Sequence, residues 1–244
     1  MPERVASGET SAPKSAGLGR RRVLHYRQTT DFTCGPSACL MAMSVLAPGR
    51  RRSRTEELEI WREATTIFMG PKGGHGGCGA LGLALALHRR GFRPEVHLSH
   101  RGVLLGRRTR SEELREVMRV VQARDLAAAK ALGIPVQYGR LTPDDLEAAI
   151  AGGAVPIVLC STHLIHGDNV PHWIVVTGFG GAHVYVNDPW VSLDKGKTAR
   201  DMTDIALTWR DFDRMTSYGG ERERAVVLVR EGRKDGGRRK ANRK

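Results

Sequence analysis

The chain has 244 residues, enough for one domain with a sizeable core or for two small lobes, and its 40% hydrophobic content with 29 glycines is that of an ordinary globular protein. No stretch approaches the ~20 apolar residues of a membrane span, and the first 22 residues hold no apolar run of the kind that drives secretion, so a cytoplasmic location is expected. The net charge of +13 concentrates in Arg20–Arg22, in Arg50–Arg52 with Arg54, and in residues 230–244, where eight basic and two acidic residues give +6; without interleaved aromatics these clusters argue against specific nucleic-acid binding.

Residues 1–21 are rich in Ser, Gly, Ala and Pro and read as a disordered basic tail, with a second one at 231–244, so the folded domain is expected over 22–230. Within it, Cys34-Gly35-Pro36 starts a helix to about Ala47, with Pro36 in the first turn where its missing N–H is not needed. Ser53 and Glu56, at capping-box spacing, open a second helix over 54–68. A glycine-rich loop, 70–79, leads to a helix over 80–90 that Gly91 stops, and 93–98 reads as a short strand. Ser111 followed by Glu112 and Glu113 starts a long helix to about Leu132, and Thr142-Pro143-Asp144-Asp145 starts another that ends at Gly152. Beyond it the runs 155–160, 173–179, 184–187 and 225–230 are rich in β-branched residues and read as strands, with Gly180-Gly181 as a hairpin turn. A mainly helical first half and a mainly β second half predict an α+β fold rather than alternating βαβ units.

The chemistry concentrates at four positions. The thiol of Cys34, at a helix start, faces unpaired backbone N–H groups and the positive end of the helix dipole, both of which favour thiolate. The same N–H groups can receive a developing oxyanion, and Gln28, six residues earlier on the incoming chain, can fold back to supply a second donor. A base is expected in His172, at the start of an apolar strand. The hairpin then returns the chain to Asn187-Asp188-Pro189, so that Asp188 can orient the imidazole and favour its protonated form.

Other clusters carry less. The four cysteines (34, 39, 78, 160) form no CxxC pair, which excludes a disulfide framework or a zinc ribbon, and Cys39 and Cys160 read as core thiols. The formal GxGxxG in the loop 70–79 follows no strand and is not a nucleotide fingerprint. His75 with Cys78, or Cys160 with His163 and His166, are incomplete as zinc ligands, so no metal and no cofactor is expected.

The segment Tyr26-Arg-Gln-Thr-Thr-Asp-Phe-Thr-Cys-Gly-Pro-Ser-Ala resembles the active-site stretch of C39-type peptidases, papain-like enzymes that clip leader peptides from bacteriocin precursors after a Gly-Gly pair. Pro171-His-Trp-Ile-Val-Val-Thr-Gly-Phe resembles that family's histidine strand, and Tyr185-Val-Asn-Asp-Pro its aspartate segment, so that Gln28, Cys34, His172 and Asp188 match position by position over a likeness spanning about 23–230. The resemblance implies a papain-like fold, with a helical lobe carrying Cys34 and an antiparallel sheet carrying His172 and Asp188, and a cysteine peptidase acting on a peptide or amide through a thioester. Gly35, His166 and Trp173 are expected to line the substrate cleft. More narrowly, the chain is similar to stand-alone bacterial members, because the separation between Cys34 and His172 is longer than in transporter-fused domains. Acyl transfer to an amine or thiol, hydrolysis of a small amide, and a peptide-binding groove without turnover are the other readings.

Overall fold

The computed structural model describes residues 20–66 and 75–232; the predicted tails and the first half of the glycine-rich loop lie largely outside them. Seven strands form one sheet: β1 Arg93–Leu98, β2 Val136–Tyr138, β3 Val155–Ser161, β4 Pro171–Gly180, β5 His183–Asn187, β6 Ile205–Thr208 and β7 Ala225–Arg230, in the order β2-β1-β7-β3-β4-β5-β6. All pairs are antiparallel except β1 with β2. The last strand in sequence is therefore the one that joins β1 to β3.

The period-2 alternation of the strands divides the core into two layers. Val155, Ile157, Leu159, Val175, Val227 and Val229 pack with the helices α1 Cys34–Leu46, α2 Arg54–Ala64 and α3 Ala80–Arg89. Val158, Ile174, Val176, Val226 and Leu228 pack on the other face with α5 Pro143–Ala151 and α7 Trp209–Met215. Because both faces are covered, β3 and β7 are buried along almost their whole length, which explains their uniformly apolar sequences. Helix α1 is buried from Cys34 to Met43 and packs on β3 and β4. The long helix α4, Glu112–Ala131, packs on α3.

Most predicted elements are present, and the caps show why. Thr142 and Asp145 form a full capping box, and Ser53 and Ser111 accept from the N–H groups of Glu56 and Leu114. The second helix stops at Ala64 rather than at 68, because Thr65 turns extended and pairs with Cys78. At that point Gly79 N–H donates to Ala64 O (3.1 Å), and α3 crosses so closely that a Cβ on Gly82 would stand 2.7 Å from Ala64 Cα. The strands β2 and β6, the helix α7 and the one-turn helix α6 (His163–His166) were not expected from the sequence.

The segment 21–28 runs along the edge of the aspartate region. Arg21 N–H donates to Thr177 O, Asn187 Nδ2 to Val23 O, and Gln28 N–H to Pro189 O. The Arg21 guanidinium donates to the carbonyls of Ile150 and Gly153 at the end of α5, and Arg52 donates to those of Leu24 and His25. Part of the arginine excess is thus spent on backbone carbonyls of this segment and the helix it reaches.

Candidate active site

Three elements converge at one point. Helix α1 begins with Cys34, β4 begins at Pro171 with His172 second, and Asp188 directly follows β5. The two-residue hairpin starting at Gly181 (φ +59°) folds β5 back on β4 with Val175 opposite Asn187, which carries Asp188 to the histidine. His172 Nε2 donates to Asp188 Oδ1 at 2.6 Å, and Cys34 lies near enough for its charge to act on the same ring; with Nε2 engaged, Nδ1 is the nitrogen left to face the thiol. Both His172 and Asp188 are buried.

Burial by itself would lower the His172 pKa. The negative charges of Asp188 and Cys34, and hydrogen bonds to both, outweigh it and hold the imidazole up to about 10. Burial would likewise raise the Asp188 carboxyl. The neighbouring His172 charge, with hydrogen bonds from His166 and His172, outweighs that and keeps the carboxyl well below the usual carboxylate range. Asp188 Oδ1 also accepts from Trp190 N–H (2.7 Å), and its backbone carbonyl accepts from His25 Nε2 (2.7 Å).

The start of α1 is left open. Thr33 occupies the cap position but makes no side-chain capping bond. Its hydroxyl turns instead to Glu57 Oε1 at 2.5 Å. Glu57, fully buried on α2, also accepts from Tyr26 Oη (2.9 Å), Thr29 N–H (2.8 Å) and Ser37 Oγ (3.3 Å). One carboxylate therefore collects four donors from the segment that carries Gln28 and Cys34. Gln28 is itself buried, and its Nε2 donates to Thr30 O at 2.8 Å. That contact sets which end of the amide is nitrogen and leaves its second N–H available.

A cleft of about 300 Å³ opens beside Cys34, walled by Phe32, Gly76, Gly77, Leu159, Pro171 and Trp173 and, from the far side, by Leu105, Arg108, Leu114 and Met118. A second, more polar recess of about 230 Å³ lies between Gln28 and Trp190, and Asp31 lines both. Trp173 is buried in the floor of the cleft, with Nε1 donating to Cys78 O (3.1 Å). Gly35 is buried too; a Cβ there would sit 3.1 Å from the Leu83 methyls and 3.2 Å from Trp173. His166 is turned away from the cleft and onto Asp188 Oδ2 at 2.9 Å.

The far wall of the cleft is tied down by Glu223, which accepts from Leu105 N–H (2.9 Å) and His100 Nε2 (3.2 Å). Among the described residues, His100, Glu221 and Glu223 lie close enough to share a metal ion. However, His100 Nδ1 accepts from Gly102 N–H, which puts the ring proton on Nε2, and Glu221 is paired with Arg107. The cluster is satisfied by protein groups.

Glu57 and the contact of His166 with Asp188 are absent from the sequence reading. Glu57 did leave a trace: with Ile60 and Ala64 it shares the buried stripe of α2, a carboxylate at a core-facing position. His166 was expected at the cleft and not on Asp188, because that contact depends on a loop between two strands whose course no local pattern encodes.

A thiol, an imidazole and a carboxylate thus stand together beside a cleft in an α+β scaffold. The sequence profile of the Peptidase_C39 like family matches residues 23–230, and the chain belongs to that family. Among curated proteins, none matches. Solved structures that resemble it include a double glycine motif protease from an AMS/PCAT transporter in complex with the leader peptide, with 14% identity, 88% of this chain and 95% of that chain covered, and a TM-score of 0.45. A C39-like peptidase from Bacillus anthracis shares 14% identity over 86% and 96% of the two chains, with a TM-score of 0.44. The peptidase domain of Streptococcus ComA shares 14% over 84% and 96%, with a TM-score of 0.40.

Proposed function

We propose that the protein is a cysteine peptidase of the C39-like type, cleaving a peptide through an acyl-enzyme on Cys34. The observation that carries this reading is that the start of α1 brings Cys34 to the His172 ring, whose Nε2 meets the buried Asp188 carboxylate at 2.6 Å. An imidazole held up to about 10 is protonated at neutral pH, and the reaction runs through the Cys34 thiolate beside it. The thiolate adds to the scissile carbonyl. The resulting oxyanion is received by the uncapped N–H of Cys34 and the spare N–H of Gln28. His172 passes its proton to the leaving amine as the C–N bond breaks, which leaves a thioester. Water, deprotonated by the now neutral His172, attacks the thioester, and the acid product and thiol part. Family membership favours a peptide substrate, and so does the cleft: its two recesses meet at Asp31, which suits an extended chain lying across Cys34 better than a compact amide.

The test is incubation with candidate peptides, followed by mass spectrometry of both protein and products. Cleavage by the wild type, an acyl adduct on Cys34, and neither with Cys34→Ala are the expected results. Cleavage that persists in Cys34→Ala rejects the reading.

A further inference from the structure

Asp188 is held by two histidines, one on each oxygen. Oδ1 faces His172 and Trp190 N–H; Oδ2 faces His166 Nε2 at 2.9 Å. The His166 side chain is nearly as buried as the carboxylate it touches, with 6% of it exposed. Its other nitrogen, Nδ1, meets Ser192 Oγ at 3.0 Å. A hydroxyl can donate to Nδ1, which places the ring proton on Nε2, where the carboxylate needs it.

The placement is built into the backbone. Helix α6 is one turn in the β3–β4 connection, closed by Gly167 at φ +89°, a conformation that glycine tolerates. Thr162 clasps the two ends of the connection, its N–H donating to Val170 O and its hydroxyl receiving Val170 N–H. Lys195 Nζ donates to His166 O at 2.7 Å. A histidine merely filling space would need neither the serine nor this bracing.

We propose that His166 is a positioning residue of the site: its Nε2–H fixes Asp188 Oδ2 so that Oδ1 stays aimed at His172, and Ser192 sets the tautomer that lets it do so. The role rests on the peptidase reading above, since it acts only through the His172–Cys34 pair. Without His166, the buried Oδ2 loses its donor, and the carboxylate turns to share the donors that now serve Oδ1, which weakens its pull on the His172 ring. The other groups facing this pair are Cys160 on β3, Cys34 on α1, and His25, which reaches the Asp188 backbone carbonyl rather than its carboxylate.

The test is the rate of Cys34 carboxymethylation by iodoacetate, followed by mass spectrometry over about six pH units, from roughly 5 to 11. The thiolate displaces iodide, and a neighbouring imidazolium attracts the anionic reagent, so the alkaline fall in rate reports loss of the His172 proton. In the wild type that fall is expected near the His172 value of about 10. In His166→Leu it moves down by about one pH unit and the best rate drops roughly tenfold. His166→Gln, whose amide nitrogen can stand where Nε2 stood, restores both to within about twofold. Ser192→Ala shifts the profile the same way by less, and it decides the matter if His166→Leu does not fold. An activated Cys34 in the wild type with an unmoved profile in the folded variants overturns the role of His166 alone. A wild-type Cys34 that reacts no faster than a free thiol overturns the peptidase reading, and the role of His166 with it.

Discussion

His172 occupies a place where burial, acting alone, would keep an imidazole neutral, and it is the Asp188 charge that reverses the outcome. Asp188→Asn keeps the shape and removes the charge. The His172 midpoint, read by NMR titration of the ring, is then expected to fall from about 10 to below the ordinary 6.5, because desolvation remains and its main opponent is gone. The cysteines divide on the same physics. Burial pushes the thiols of Cys39, Cys78 and Cys160 up, while Cys34 lies beside the His172 ring. Iodoacetamide at neutral pH should therefore label Cys34 first in the folded protein, as peptide mapping would show; equal labelling of Cys39 would contradict the arrangement. At this scale the sequence was informative where a side chain acts through its own local backbone. Gln28 and Cys34 are six residues apart on one incoming segment, and a helix start has one orientation. Asp188 was legible only because a two-residue glycine turn leaves the hairpin little choice. His166 and Glu57 act across loops and helix pairs, and spacing along the chain says nothing about them.

At the scale of elements, α2 is the support beneath the nucleophile segment. Glu57 is one carboxylate receiving four donors, and an amide in its place would point an N–H at one of them. Glu57→Gln is expected to cost about 2–4 kcal/mol in urea unfolding and to slow Cys34 alkylation. The α2–α3 crossing is tight for a different reason, since the atom facing Gly82 is backbone and cannot rotate aside. Gly82→Ala should lower stability by about 1–3 kcal/mol with the site chemistry unchanged once folded, as melting curves and alkylation together would show. The long, capped helices and the strands buried on both faces were recognisable from their residues. Strands β2 and β6 were not: they are 3 and 4 residues long, none of their residues is fully buried, and their pairing partners decide them. The early end of α2 has the same origin, because Thr65 is claimed by Cys78 from across a loop.

For the whole molecule, the coupled pair sets how stability varies with pH. The Asp188 pKa is depressed by folding, so its contribution is whole above the unfolded value of 3.8 and is lost as pH falls. That of His172 is raised, so its contribution is whole below 6.5 and is lost as pH rises towards about 10. The stability difference between wild type and His172→Gln in urea should therefore be greatest between these two unfolded values and shrink on either side; a difference still growing above neutrality would contradict the assignment. Among the described residues, no helix is long and apolar enough to cross a membrane.

The order of the sheet has a consequence in time. During synthesis Cys34 is made early and His172 and Asp188 much later, and the sheet behind them is still in two pieces when Asp188 emerges. Until residues 225–230 are available, β1 and β2 have nothing to join them to β3, because β7 pairs with both halves. Pairings so far apart in sequence are late events in folding. The sheet, and the two layers packed on it, are therefore complete only with the final strand.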